Sequence, residues 1–142
     1  MKKLKFLSVL LLTSIAAVCL AACAPFDGFD DDAVIVKARS QSTYKSVENS
    51  TGSQYSLKAE KFNGVKTIKN ITVPENPKFD MTLNIEDGQF KVVLVKDDTV
   101  VKICDSSTEG PVAVTLAEGT YSLRIVGKDA KINFTFKYNA YK

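Results

Sequence analysis

Few side chains in this sequence are equipped for catalysis. The chain contains no histidine, which removes imidazole as a nucleophile activator, a proton shuttle and a metal ligand. Glu86 and Asp87 stand where a turn is expected, with both carboxylates in solvent, and no base is spaced to activate Ser106 or Ser107. A glycosidase needs two carboxyls about 5–10 Å apart, one with a raised pKa. Nothing favours such a pair, so the sequence predicts a protein that is not an enzyme and has no cofactor.

Cys23 is the residue with the clearest chemical role. It follows a basic head, with lysines at positions 2, 3 and 5, and an apolar run from Phe6 to Ala22. A basic head, an apolar middle and small residues before a cleavage point are typical of a secretory signal. A cysteine thiolate is a strong nucleophile, well suited to taking up a lipid. Residues 1–22 are therefore expected to be a signal peptide that is removed.

The four residues Leu20-Ala21-Ala22-Cys23 resemble the lipobox of bacterial lipoproteins. The resemblance implies diacylglycerol transfer to the Cys23 thiol, cleavage between Ala22 and Cys23, and a palmitate-type anchor in membrane lipid. Two acyl chains anchor a protein stably in a bilayer, whereas one chain gives only marginal binding, because each buried methylene contributes ~0.8 kcal/mol. The expected location is extracytoplasmic, on the cell membrane or an outer membrane. Two alternatives stay open: an uncleaved transmembrane anchor, and cleavage by a general signal peptidase that releases a soluble protein.

The net charge limits the classes of molecule that the chain is expected to bind, and the cysteine content limits the disulfides that it can form. Without the three signal lysines, the mature chain has sixteen basic and sixteen acidic side chains and is neutral. It therefore gives no electrostatic reason to expect nucleic-acid binding. Cys19 leaves with the signal and Cys23 carries the lipid, which leaves Cys104 without an intrachain disulfide partner. Its neighbours Val101 and Ile103 predict that Cys104 packs as a small hydrophobe; the alternative is a reactive or intermolecular thiol.

Residues 23–32 are expected to form a short acidic tether, followed by one domain over residues 33–142. Pro25 and Gly28 disfavour regular structure in this segment. Its aspartates suggest either a solvated spacer that lifts the domain off the membrane or a calcium site built from hard oxygen donors. Their spacing does not match an EF-hand loop, which favours the spacer. The aspartates are Asp27, Asp30, Asp31 and Asp32.

Beyond residue 33 the apolar residues alternate with polar ones, which is the period of a half-buried β-strand. The signal predicts nine short strands and no helix, arranged as a single antiparallel β-sandwich. Asp87-Gly88 is the strongest hairpin signal, and Asp97-Asp98 and Gly127-Lys128-Asp129 predict further turns. The strands are expected at residues 34–36, 55–60, 65–73, 79–85, 90–95, 100–104, 112–116, 121–125 and 132–138.

Three motifs characterise the C-terminal half: Leu116-Ala117-Glu118-Gly119-Thr120-Tyr121, then Leu123-Arg124-Ile125 with Gly127, and finally Phe134-Thr135-Phe136. With these motifs, residues 62–138 resemble small bacterial surface β-sandwiches of the jelly-roll kind, among them galactose-binding-like modules and pre-peptidase C-terminal domains. In place of a glycine-containing turn of those modules the chain has Lys131-Ile132-Asn133. The resemblance implies a jelly-roll sandwich but no particular activity, because sandwiches host many functions.

Two functional hypotheses follow. The first is a lipid-anchored envelope surface protein that binds a glycan, a cell-wall component or a protein partner without catalysis. The second is a structural or assembly lipoprotein whose C-terminal strand, residues 132–138, is an exposed edge open to β-augmentation. A concave aromatic pocket would favour the first, and a flat exposed apolar edge the second. For the first, the contact residues are expected to be exposed tyrosines and the loop from Asp105 to Gly110, namely Tyr44, Tyr55, Asp105 and Glu109.

Overall fold

The computed structural model describes residues 26–38 and 41–138, so the signal segment and Cys23 lie outside the described residues. All six strands join one antiparallel sheet in the order β1-β2-β6-β3-β4, with β5 also paired to β3. The prediction of an all-β antiparallel fold is confirmed. The elements are helix α1 (Asp32–Lys37) and strands β1 (Gln41–Ser50), β2 (Gln54–Val73), β3 (Lys78–Lys96), β4 (Thr99–Cys104), β5 (Thr108–Ala113) and β6 (Gly119–Lys137).

The three long strands β2, β3 and β6 pass through two parts of the sheet, which we name the open half and the covered half. Between the two parts their pairing shifts register, as at a β-bulge. The open half comprises β1, β5 and residues 54–62, 78–85 and 130–137 of the long strands; the covered half comprises β4 and residues 64–73, 89–96 and 119–127.

The strands change direction where the sequence predicts turns. Gly88 has a φ of 73°, and a Cβ there would lie 2.2 Å from the backbone oxygen of Asp129. Asn63 fixes the neighbouring strand, because its Nδ2 donates to Asp129 Oδ1 at 3.1 Å and its Oδ1 accepts from Asp129 N at 2.8 Å. The predicted hairpin at Asp87-Gly88 and the predicted turn at residues 127–129 are therefore wrong. Both are bulges inside continuous strands, which bend the sheet without ending it.

The strand count differs from the prediction for three reasons. Three predicted pairs of strands are each one bent strand, residues 34–36 are helical, and β1 was absent from the predicted set. Six strands therefore replace the predicted nine, and their order does not confirm a jelly-roll. The predicted turn at Asp97-Asp98 is confirmed, because Lys96 pairs with Thr99 across a two-residue hairpin loop.

One hydrophobic core joins the inner faces of both halves, so the bent sheet packs on itself as a β-sandwich. Phe134 lies at its centre, fully buried, with ring centroids 6.2 Å from Tyr55 and 5.7 Å from Phe90. Cys104 is buried in the same core, and its Sγ donates to the Ser106 carbonyl at 3.0 Å. The prediction that Cys104 packs as a small hydrophobe is confirmed.

Helix α1 replaces the strand predicted at residues 34–36, so that prediction is wrong. Asp31 caps the helix, since its Oδ1 accepts from Ala33 N at 3.0 Å and from Val34 N at 3.4 Å. Ala38 ends it in the left-handed conformation. β-branched residues disfavour helix only weakly, and burial overrides that preference. Ile35 is fully buried against the outer face of the covered half.

Candidate functional site

The four residues predicted to contact a ligand do not form one site. Tyr44 is exposed over 59% of its surface, but Tyr55 is only 2% exposed, so its predicted exposure is wrong. Tyr55 points into the core because it pairs with Phe136 and packs on Phe134. Its burial raises the pKa of the phenol, to which the nearby Glu48 carboxylate adds.

Asp105 and Glu109 lie away from Tyr44 in the strand order of the sheet. Tyr44 belongs to β1, at one end of the strand order, whereas Glu109 lies on β5, which pairs with β3. Asp105 accepts from Lys102 Nζ at 2.6 Å, an exposed pair of the kind that contributes little. The predicted loop from residue 105 to 110 is also shorter than expected, because β5 begins at Thr108.

The C-terminal strand is not an edge. β6 lies in the middle of the sheet, paired with β2 on one side and β3 on the other. The predicted edge at residues 132–138 is therefore wrong, because residues 132–136 pair with β2 on one side and with β3 on the other. Among the described strands, the open half has two edge strands: β1, which pairs only with β2, and β5, which pairs only with β3. Only β1 is exposed at every residue.

Strand β1 is exposed along its whole length, all ten residues. Among the described residues, the large exposed apolar side chains are Tyr44 and Val47, the latter 71% exposed. Glu48 ties the strand to the covered half, because both its carboxylate oxygens lie 2.5 Å from Lys66 Nζ. Lys45 has a φ of 45°, which interrupts the pairing between Tyr44 and Ser46.

Residues 26–38 form a second feature, which we name the docked segment. Its Phe29 and Ile35 are buried with an outer-face cluster of the covered half: Val65, Val93, Val95 and Val126. Arg124 fastens it, because its Nη1 donates to the carbonyls of Ile35 at 2.6 Å and Val36 at 2.5 Å. A cation favours the carbonyl end of a helix, and burial lowers the pKa of the Arg124 guanidinium.

The docked segment includes residues 27–32 of the predicted acidic tether. Lys91 Nζ lies 4.5 Å from the Phe29 ring centroid and 3.6 Å from Asp30 Oδ1. The stretch from Phe29 onward is therefore packed on the sheet, and not the free spacer that we expected; residues 23–25 lie outside the described residues. Within residues 26–38 and 41–138, no group of three or more acidic or cysteine side chains is placed to hold a metal ion.

A shallow recess of about 360 Å³ opens on the covered half. Register places its floor on the outer face, where Asn70 pairs with Ser122 and Thr72 with Thr120. Arg124 joins the recess to the docked segment. The polar residues that line it are Asn70, Lys96, Asp97, Thr120, Ser122 and Arg124.

The fold defines the class: an all-β protein built on one bent six-stranded antiparallel sheet. No protein-family model, curated protein or solved structure matches the chain. In the described part of the chain, no helix is both long enough and apolar enough to cross a membrane. The evidence on function therefore comes from the residues themselves: an open edge strand, a docked segment and a polar recess.

Proposed function

We propose that this chain is a lipid-anchored protein of the cell envelope that binds a protein partner along β1 and catalyses no reaction. The observation that carries the proposal is the state of β1, an open edge with all ten residues exposed. The recess is lined mainly by polar side chains, whereas the exposed Tyr44 and Val47 both lie on β1. A concave aromatic pocket would favour the first hypothesis of the sequence analysis, and an exposed edge would favour the second. Strand β1 supports the exposed edge.

The backbone of an edge strand supplies the binding energy. Its outward N–H and C=O groups have no partner within the sheet and can pair with an extended segment of another chain. The left-handed residue Lys45 divides β1, which leaves residues 46–50 as the longest uninterrupted run. A run of five residues matches the length of an ordinary strand. Val47 adds an apolar contact for the incoming segment on the face away from the core, where its neighbour is Lys58.

The proposed anchor lies next to the docked segment. Cys23 precedes Phe26, the first described residue, by three residues, and three residues span at most about 11 Å. If Cys23 carries the lipid, the docked segment holds the sandwich near the bilayer in one orientation. A Cys23→Ser variant that still fractionates with membranes after correct processing would contradict the anchor.

Site-specific photo-crosslinking in native membranes tests the proposed edge. A photoreactive residue at Ser50 is expected to give one discrete adduct, and Val47→Lys is expected to abolish it by placing a charge beside the incoming strand. The matched control carries the photoreactive residue at Glu118, which is exposed outside the strands. Absence of an adduct at Ser50, an equal adduct at Glu118, or an adduct that survives Val47→Lys would contradict the proposal.

A further inference from the structure

The two edge strands of the open half differ in how well they suit a further strand. Strand β5 contains Gly110, which has a φ of 98°, and Pro111, which has no N–H to donate. Proline on an edge strand protects that edge against unwanted pairing. Strand β1 contains neither glycine nor proline and is exposed at all ten residues. Of the two edges, β1 is therefore the one open to another strand.

The side chains of β1 are complementary to a second β1 that runs antiparallel to it. In a pairing centred on Val47, that valine would face its own copy across a two-fold axis, and Ser46 would face Glu48 of the second copy. Val47 is 71% exposed, and two β-branched side chains opposite each other stabilise a strand pair. The Ser46 hydroxyl can donate to the Glu48 carboxylate. A pairing centred on Glu48 would instead place two carboxylates opposite each other, which is destabilising.

A second copy has room beside β1 because the covered half ends one strand earlier. Strand β1 pairs with residues 55–64 of β2, whereas residues 65–73 of β2 have β6 as their one partner in the described sheet. Two joined copies would therefore hold their β2 strands three strand spacings apart, about 14 Å. Glu48 of β1 and Lys66 of the covered half, which are joined to each other, would lie in that gap. The covered halves thus do not collide when the open halves join.

The symmetry of this pairing suits two copies that share one bilayer. The docked segment packs on the outer face of the covered half. A two-fold axis perpendicular to the sheet of the open half leaves both docked segments on the same side of the pair. A single strand pair is smaller than the roughly 1,200 Å² or more that a stable interface buries, so the copies should separate in dilute detergent. Anchoring in one membrane raises their effective concentration and holds both copies at the same height.

We propose that the partner of β1 is a second copy of this chain, joined by antiparallel pairing of the two β1 strands about a two-fold axis at Val47. This inference rests on the proposed function, because it names the partner of the same edge. The two open halves then form one continuous sheet. Each β1 closes the edge of the other, so the assembly is a closed dimer and not a filament.

Cysteine crosslinking in native membranes tests the two-fold axis. A disulfide requires Cα atoms about 4.4–6.8 Å apart. Val47→Cys would place the two Cα atoms about 4.5–5.5 Å apart, whereas Asn49→Cys, on the same face of the same strand, would place them about 14 Å apart. Under mild oxidation, Val47→Cys is expected to give at least about tenfold more disulfide-linked dimer than Asn49→Cys. Equal yields from the two variants, or no dimer with Val47→Cys, would overturn the proposal.

A charge swap across the axis distinguishes the second copy from any other partner. Val47→Lys and Val47→Glu, each with a photoreactive residue at Ser50 and each expressed alone, should lose the adduct because like charges then lie opposite each other. When the two variants are expressed together with different tags, a mixed adduct with one chain of each should return. A mixed pair that crosslinks no better than either variant alone would overturn the proposal.

The composition of the Ser50 adduct separates failure of this inference from failure of the proposed function. An adduct that contains two copies of this chain is the expected result. An adduct between the parent chain and a different protein would overturn the second copy and leave the proposed function standing. Absence of any adduct at Ser50 would overturn both.

Discussion

The open half and the covered half share one core, yet their outer faces differ. In the covered half, four valines on the outer face are buried beneath the docked segment, and Arg124 holds that segment in place. In the open half, β1 is bare along its length, and Lys58 faces solvent next to Val47. The comparison teaches that the same long strands have two different surroundings: one end is covered by the chain itself, and the other pairs with an edge strand that stays exposed.

The largest loss of unfolding free energy is expected from a substitution in the core that the two halves share. Phe134→Ala leaves a cavity at the centre of the shared core and should cost about 3–5 kcal/mol of unfolding free energy. Chemical denaturation should show a single transition in which both halves are lost together. Tyr44→Ala, on the exposed edge, should change stability by no more than about 0.5 kcal/mol. Two separate transitions would show that the halves are independent units.

The bend between the halves is the next test. Gly88→Ala places a Cβ 2.2 Å from the Asp129 carbonyl oxygen at a φ of 73°. The left-handed conformation alone costs roughly 1–2 kcal/mol, and the clash with backbone adds to it, so we expect a loss of at least about 2 kcal/mol. Gly52→Ala is the control, because a Cβ there meets no atom within 4 Å. Equal thermal stabilities of the two variants would contradict this account of the bend.

Removal of the Arg124 guanidinium should destabilise the docked segment of the covered half and leave the open half unchanged. Arg124→Gln loses the charged hydrogen bonds to the Ile35 and Val36 carbonyls, which should cost on the order of 2 kcal/mol. We expect faster amide exchange and faster proteolysis within residues 26–38, with β1 unchanged. Lys102→Gln removes an exposed ion pair and serves as the control. Faster amide exchange in β1 as well would contradict this prediction, because it would show that Arg124 stabilises the whole sheet.

The smallest effect is a pH dependence at the bend. Hydrogen bonds from Asn63 and Lys61 lower the pKa of Asp129. Because the folded pKa lies below the unfolded one, the resulting stabilisation is present at neutral pH and is lost as the pH falls below about 4. Asp129→Asn and Asn63→Ala should each flatten the fall in unfolding free energy over that range. An unaltered pH profile in both variants would contradict the assignment.

The strands of this fold were predictable because alternation follows from the two faces of a sheet. The sequence also holds a sign of the covered face: Val92-Val93-Leu94-Val95 is a continuous apolar run, typical of a strand buried on both sides, and all four residues are buried. The bends were not predictable, since Asp87-Gly88 suits a bulge as well as a hairpin.

The candidate site was harder to predict than the fold. Strand β1 has both faces wet, so it shows no alternation that marks a strand. The docked segment was missed because Asp31 has a role, as a helix cap, that depends on the burial of Ile35 against distant strands. Tyr55 and the C-terminal strand were misplaced for one reason, since exposure depends on which strands lie alongside, and local sequence does not specify that pairing.

Site-resolved amide hydrogen exchange of the intact protein tests the difference between the halves most directly. We predict slow exchange in residues 119–127 and in the backbone of α1, whose amides are bonded and packed, and clearly faster exchange at alternate residues of β1, whose outward amides face solvent. Exchange within residues 32–37 as fast as in an unstructured peptide, or uniform strong protection along β1, would contradict an account built on a closed half and an open one.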